Sequence, residues 1–330
     1  MKVLINRQVS RDKWEALAKG NADLTVFQTP SFYDYFNSID GFSADVFALE
    51  VKDEYRGLVV VTIQKEKGLQ AIVSKRGIIY GGPLLANDDK TSLKALFTAV
   101  KSYYKTRLIY LEIRNSYDIS VYADIYKSLG FGYEPWLNFL VDCTDLEAVK
   151  KAASESRMRQ IRKALKNGVE WREARSPEEV MDFYQLMEDL YKRVIRKPLW
   201  PREAFTRFFE ADAGKFLLVY YEKRIIGGIM CAILPGMASY ELYICGLDEH
   251  YKDQYPSAMA TWAAIEYNHR NGIPLFDFMG AGSPKVSYGV REFKARFGGL
   301  QVEYGRLILV FNPVLYRAGK LGLSVLKKLK

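Results

Sequence analysis

Phe276-Asp277-Phe278-Met279-Gly280-Ala281-Gly282, followed by Tyr288-Gly289-Val290-Arg291-Glu292-Phe293-Lys294-Ala295-Arg296-Phe297-Gly298-Gly299, is the stretch on which the fold turns. It reads as a short apolar strand, a glycine loop, a short helix over Val290 to Arg296 and a glycine stop. A strand from Leu307 to Phe311 closes it. The same order occurs earlier, where Tyr126-Lys127-Ser128-Leu129-Gly130-Phe131 is a short helix ending in glycine and Phe139-Leu140-Val141 is the closing strand. Working outward, each copy has a hairpin: Ala44 to Val51 returning as Leu58 to Ile63, and Phe216 to Tyr221 returning as Ile225 to Leu234. Each also has a long apolar-faced helix, Thr91 to Tyr104 and Ser257 to Arg270. Repetition at this period argues for duplication of one α/β module. The expected division is a first domain over 1–150, a second over 151–312 and a tail over 313–330.

Helix starts are marked chemically. Ser10 is an N-cap candidate, Pro30 reads as a first helical residue, and Ser176 before Pro177 combines both signals. The 330 residues suit two domains. A chain 49% hydrophobic and 26% charged is an ordinary globular balance and excludes a disordered chain or a fibre. No run approaches the ~20 apolar residues of a membrane span. No apolar region near Met1 is long enough for a signal peptide, so the expected compartment is the cytoplasm. Three scattered cysteines, Cys143, Cys231 and Cys245, read as reduced buried thiols. Two histidines, His250 and His269, argue against a histidine metal site or a Ser-His-Asp triad.

Forty-eight Lys and Arg against 39 Asp and Glu leave a formal charge of +9, which suits an anionic partner: nucleic acid, a phosphorylated small molecule or an anionic membrane face. Solubility alone is the plain alternative. A basic helix from about Ala152 to Asn167 carries Arg157, Arg159, Arg162, Lys163 and Lys166. Phosphate contacts need charge rather than sequence reading, so this helix fits an RNA backbone as well as it fits a solvated linker. Arg193, Arg196 and Lys197 end the next helix, where cations favour the helix dipole.

The opening stretch is similar to the Fem-type peptidoglycan-bridge aminoacyltransferases and their GNAT-like relatives. Ser156-Arg157-Met158-Arg159-Gln160-Ile161-Arg162-Lys163-Ala164 and Phe27-Gln28-Thr29-Pro30 resemble the same group, and Tyr126 to Phe131 resembles the end of a GNAT domain. The resemblance implies a mixed α/β (α+β) chain of two tandem GNAT-like domains with mixed sheets. It implies transfer of an aminoacyl group from aminoacyl-tRNA to an amine of a peptidoglycan or other envelope precursor, phosphorylated or lipid-linked, with no metal or organic cofactor. It also implies Lys294 at the donor terminus as the catalytic candidate, with Arg157, Arg159 and Arg162 toward the tRNA. No sustained heptad stretch supplies the long helical arm of the larger members.

The residues themselves fit acyl transfer to an amine, which passes through an oxyanion that positive groups or N–H donors stabilise. Arg291 and Lys294 lie at helical spacing i to i+3 and concentrate charge, with Arg296 farther round; a salt-bridged surface helix is the alternative. Gly280 and Gly282, with Ser283, form a loop able to cradle phosphate. Tyr240 and Tyr243 sit on a central strand, where alternation points them to opposite faces; either one lines the cleft or packs in the core. Asp277 and Glu292 are the available general bases, beside substrate-assisted proton transfer.

In acyl-CoA enzymes a glycine-rich loop and helix N-terminus hold the pyrophosphate. The corresponding stretch, Glu249-His250-Tyr251-Lys252-Asp253-Gln254-Tyr255-Pro256-Ser257, has no glycine and places Asp253 near the phosphates, which favours the Fem-like donor. The Asp-Pro pair of the muramyl-pentapeptide binders is replaced by Arg114-Asn115 at the end of Leu111-Glu112-Ile113. The alternatives are an acyl-CoA N-acyltransferase of envelope or capsular sugars, and a non-catalytic RNA- or membrane-binding protein on this fold. The tail, with Leu315, Ala318, Leu321, Val325 and Leu329 among Arg317, Lys320, Lys327, Lys328 and Lys330, is basic and amphipathic. It either packs on the first domain or makes a peripheral contact at the inner membrane face.

Overall fold

A computed structural model describes residues 1–65, 74–87, 89–195 and 198–328, with side chains to residue 320 in the last stretch. Arg196, Lys197, Leu329 and Lys330 lie outside the described residues, as do the side chains of Leu321, Val325, Lys327 and Lys328. The chain forms two units: Met1–Pro135 with Tyr304–Lys330, and Trp136–Glu303.

The first unit is built on strands β1 (Lys2–Ile5), β2 (Phe42–Val51), β3 (Glu54–Gln64), β4 (Arg76–Gly81), β5 (Leu84–Leu85), β6 (Tyr110–Asn115), β7 (Gly132–Glu134) and a late strand, Arg306–Val310. Their order is β1-β2-β3-β4-β6-Arg306–Val310-β7, with β5 beside β3. β4 and β6 run parallel, joined by the helix Lys90–Tyr104. Asp89 starts that helix by accepting from the Thr91 and Ser92 amides at 2.9 and 3.1 Å. Leu93, Leu96, Phe97, Val100 and Tyr104 form its apolar face and bury against Phe47, Val61, Ile79, Leu111 and Ile113.

The second unit repeats the plan. Its strands are β8 (Leu137–Asp142), β9 (Glu170–Glu173), β10 (Gly214–Tyr221), β11 (Arg224–Leu234), β12 (Ala238–Gly246), β13 (Leu275–Asp277) and β14 (Leu300–Glu303), in the order β14-β8-β13-β12-β11-β10-β9. β12 and β13 are parallel and joined by the helix Pro256–Arg270, as β4 and β6 are joined in the first unit. Alanines 258, 260, 263 and 264 of that helix are buried, and their small size lets it lie close on the sheet. On the other face Phe183 and Phe208 pack edge to face on Phe216, and Phe205 lies tilted against Phe183 and Phe216.

Two expectations are corrected here. Leu137–Asp142, read as closing the first domain, pairs with β13 and β14 of the second sheet. Arg306–Val310 (β15), read as closing the second, pairs with β6 and β7 of the first. The boundaries therefore fall after Pro135 and Glu303, not after 150 and 312. A strand's apolar alternation fixes which face it buries, not which sheet it joins. The tail helix Pro313–Lys328 belongs to the first unit, where Tyr316 meets the Tyr110 ring at 5.1 Å.

Candidate active site

The site of interest lies in the second unit, where its parallel strands part. β12 pairs with β13 only from Ala238 to Tyr240, yet β12 runs on to Gly246. Beyond Tyr240 its edge has no strand partner among the described residues, so it offers main-chain hydrogen bonds to an extended amide-bearing chain.

A bulge re-aims the side chains here. Met230 is opposite Tyr243 and Cys231 opposite Glu241, leaving Leu242 as the extra residue. Tyr240 and Tyr243 consequently share one face, contrary to simple alternation, and Glu241 takes the other. Tyr243 is half-buried, its ring 5.3 Å from Phe205 and 5.4 Å from Trp200, and its hydroxyl accepts from the Trp200 amide at 3.4 Å. Tyr240 is buried, and burial with the nearby Asp277 pushes its hydroxyl pKa up. Tyr240 is thus a packing residue; Tyr243 keeps partial exposure.

Glu241 meets Lys294. The Lys294 Nζ lies 2.8 Å from Glu241 Oε1, with side-chain exposures of 8% and 7%. The ammonium also donates to the carbonyls of Phe278 at 2.7 Å and Gly280 at 2.9 Å. All three of its N–H donors are thereby engaged. Glu241 Oε2 is buried without a hydrogen-bond partner.

The loop that Lys294 holds is strained and tightly tied. Met279 sits at φ 57°, a left-handed conformation uncommon for a residue with a side chain. Its amide donates to Asp277 Oδ1 at 2.6 Å, which also accepts from Asn138 Nδ2 at 2.7 Å; the Gly280 amide donates to Asn138 Oδ1 at 2.7 Å. Burial raises the Asp277 pKa against these hydrogen bonds and the Lys294 charge. Arg291 reaches the same loop one helical turn away, donating to the carbonyls of Ala281 and Val286 at 3.1 Å each and to that of Ser283. Lys294 and Arg291 are therefore on one helix face, as their spacing implies, and that face grips the loop from Phe278 to Val286. Gly282 has φ 80°, and a Cβ there would lie 2.8 Å from Tyr288 Cδ1. Glu292 and Arg296 are exposed.

The basic helix divides. Arg159 and Arg162 face solvent, whereas Arg157 is 4% exposed. Its guanidinium lies 4.4 Å from the Phe293 ring centre and 4.6 Å from that of Phe297, and it donates to Gln160 and to the Phe293 carbonyl. Burial, then repulsion from Arg296, lowers its pKa to about 10. Arg157 thus stacks under the helix bearing Lys294 and is not on the outer basic face, because its position on the helix turns it inward with Met158 and Ile161.

The helix N-terminus after β12 is occupied by protein. Asp248 accepts from the Ser257 amide at 3.3 Å and from its hydroxyl. The preceding residue, Pro256, has no amide hydrogen. Gly246 makes the close approach possible, since a Cβ there would lie 2.4 Å from the Ser257 nitrogen. Asp253, expected beside this terminus, is turned to Lys163 at 2.8 Å. Asp248, Glu241 and Asn138 are the residues that sequence reasoning missed. Glu241 had a signal, a lone carboxylate in the apolar run Tyr240-Glu241-Leu242-Tyr243-Ile244.

Residues 153–295, from the basic helix through Lys294, match the family model described as an acetyltransferase (GNAT) domain. This stretch is similar to a GNAT acetyltransferase domain. No curated protein sequence matches the chain. Among solved structures, the chain is similar to FemX, with a TM-score of 0.73 at 16% identity over 96% of this chain and 99% of that one. It is similar to a tandem GNAT protein from the clavulanic acid biosynthesis pathway, with a TM-score of 0.60 at 10% identity over 94% and 99%. It is also similar to L-PGS from Bacillus licheniformis, with a TM-score of 0.58 at 11% identity over 96% and 97%. At such identities these likenesses show the fold: two GNAT-like units in tandem, each with a mixed sheet.

Proposed function

We propose that the protein is an aminoacyltransferase that forms an amide on an amine of an envelope precursor, with aminoacyl-tRNA as donor. The observation that carries this reading is Asp248 at the N-terminus of the helix Pro256–Arg270. In an acyl-CoA enzyme that terminus takes a pyrophosphate; here a carboxylate already accepts its first available amide, and a second anion meets charge repulsion. The exposed Arg159 and Arg162 supply positive charge for an RNA backbone. The likeness to FemX in fold and the Fem resemblance of Phe276–Gly299 point the same way.

In this reading Lys294 and Arg291 are positioning residues. They fix the loop Phe278–Val286 beside the open edge of β12, where the donor's ester carbonyl is held. The acceptor amine attacks that carbonyl, the oxyanion collapses and the ribose hydroxyl leaves with a proton. Tyr243 lines the acceptor side, and Gly280 and Gly282 let the loop approach the donor closely. The envelope acceptor puts the work at the cytoplasmic face of the membrane. The tail's contact with Tyr110 supports packing rather than lipid binding for its first half.

One observation favours a second reading, acyl-CoA as donor: the family model matched over residues 153–295 is an acetyltransferase one. The test is label transfer from a pool of radiolabelled aminoacyl-tRNAs and, separately, from labelled acetyl-CoA to a panel of amino-sugar, peptide and lipid amines. Transfer from tRNA alone is expected. Transfer from acetyl-CoA alone overturns the proposal.

A further inference from the structure

The first unit carries a charge cluster that acyl transfer in the second unit does not use. One face of its sheet holds Ile79, Leu111, Ile113, Leu307 and Leu309 against the helix Lys90–Tyr104. Alternation sends their neighbours to the opposite face. The register sets Arg114 across from Tyr80 on β4 and from Arg306 on β15, and places Glu112 one pleat further along. Glu112 is 6% exposed, and its Oε1 accepts from Arg114 Nε at 3.0 Å and from Arg306 Nη1 at 2.8 Å. Arg76, on β4, donates to Gln64 at 2.9 Å and adds its charge to the same carboxylate.

Three guanidiniums therefore surround one carboxylate. Burial by itself raises the Glu112 pKa, but Arg114 and Arg306 outweigh it and hold it at about 2. The Glu112 carboxylate neutralises one cation, and Glu134, opposite Arg306 on β7, is shared with Lys320 at 3.7 Å, so positive charge stays in excess. Its cost shows at Arg306, which burial and the repulsion of Arg114 pull down to about 10. Arg114 lies over the Tyr80 ring at 5.2 Å, keeps 32% of its side-chain exposure, and commits its Nε to Glu112. Its two terminal amino groups make no hydrogen bond to the described residues, and Arg76 Nε is buried without a partner. A half-buried surplus of positive charge destabilises a fold unless an anion completes it. Planar guanidinium forks match the paired oxygens of phosphate and carboxylate.

We propose that Arg76, Arg114 and Arg306 form a binding site for a doubly charged oxyanion, a phosphate group or a pair of carboxylates. That this anion is carried by the acceptor rests on the transferase reading above; the site itself does not.

The test is calorimetric titration of the full chain at low salt with inorganic pyrophosphate and, separately, with succinate. Binding of at least one is expected, and which one binds distinguishes phosphate from carboxylate. Arg114→Gln weakens that binding by about tenfold or more, the worth of one charge-assisted hydrogen bond. Lys94→Gln removes the same charge from the exposed face of the helix Lys90–Tyr104 and changes binding less than about twofold. Arg114→Lys keeps the charge, loses the fork and weakens binding too, and it decides the matter should the glutamine variant fail to fold. Absence of binding by both probes, or equal weakening in the Arg114 and Lys94 variants, overturns the proposal. No donor or turnover enters this experiment, so its failure leaves the aminoacyl-transfer reading standing, and the reverse holds.

Discussion

Lys294 and Glu241 join the two sides of the gap where β12 leaves β13, with 2.8 Å between ammonium and carboxylate in a nearly dry setting. The two form a buried ion pair, and Lys294 also holds the carbonyls of Phe278 and Gly280. Lys294→Met leaves Glu241 buried and uncompensated, so a loss of about 3–5 kcal/mol is expected in urea unfolding. The double variant Lys294→Met with Glu241→Gln removes the uncompensated charge and recovers part of that loss. A purely local surface role for Lys294 predicts additive losses instead.

Asp248 closes the helix N-terminus from the side of the connection that follows β12. Asp248→Ala costs about 1 kcal/mol of stability, as loss of a cap does. It also opens an anion-attracting terminus, so the variant binds coenzyme A in calorimetry more tightly than the natural chain. Unchanged affinity in the variant removes the argument that this carboxylate excludes acyl-CoA.

Arg159 and Arg162 project from the outer face of the basic helix, while Arg157 lies between Phe293 and Phe297. The double variant Arg159→Gln with Arg162→Gln weakens tRNA binding and lowers the salt slope by about 1–2 units, one per lost phosphate contact at most. Arg157→Gln behaves differently: it lowers the unfolding midpoint. Equal salt slopes in all variants would place the RNA surface elsewhere.

Much of the architecture could be read in advance because local chemistry announces it. Ser10 and Ser176 cap the helices they precede, and Pro177 opens the second of them. The paired hairpins and crossover helices were visible as a repeat. The exchange of closing strands was hidden, since Phe139 and Leu307 alternate as well in one sheet as in the other. The bulge at Leu242 was equally silent, and with it the face shared by Tyr240 and Tyr243. The spacing of Lys294 and Arg291 puts them on one helix face, as the structure has them. Their partners are carbonyls and a carboxylate brought in by tertiary contact, which no local pattern encodes. Gln28, part of the Fem-like resemblance, is a bracket: its Nε2 donates to the Gly82 carbonyl at 2.7 Å and its Oε1 accepts from Thr25.

Glu112 gives the first unit a pH dependence whose sign can be worked out. Its pKa falls from the ordinary 4.5 to about 2 on folding, so the unfolded chain binds the proton more tightly. Its contribution is complete above about pH 5 and is lost as pH falls through 4.5 toward 2, amounting to roughly 3 kcal/mol. Glu112→Gln removes this dependence and leaves the three arginines without their carboxylate. Denaturant unfolding of both proteins from about pH 2 to about pH 7, which spans the window between the folded and unfolded pKa values, is the measurement. The difference between them shrinks as the solution is acidified, and the variant gains more than the natural chain from added pyrophosphate at neutral pH, because the anion then replaces the missing charge. A constant difference across the range would mean that Glu112 is not held ionised by Arg114 and Arg306.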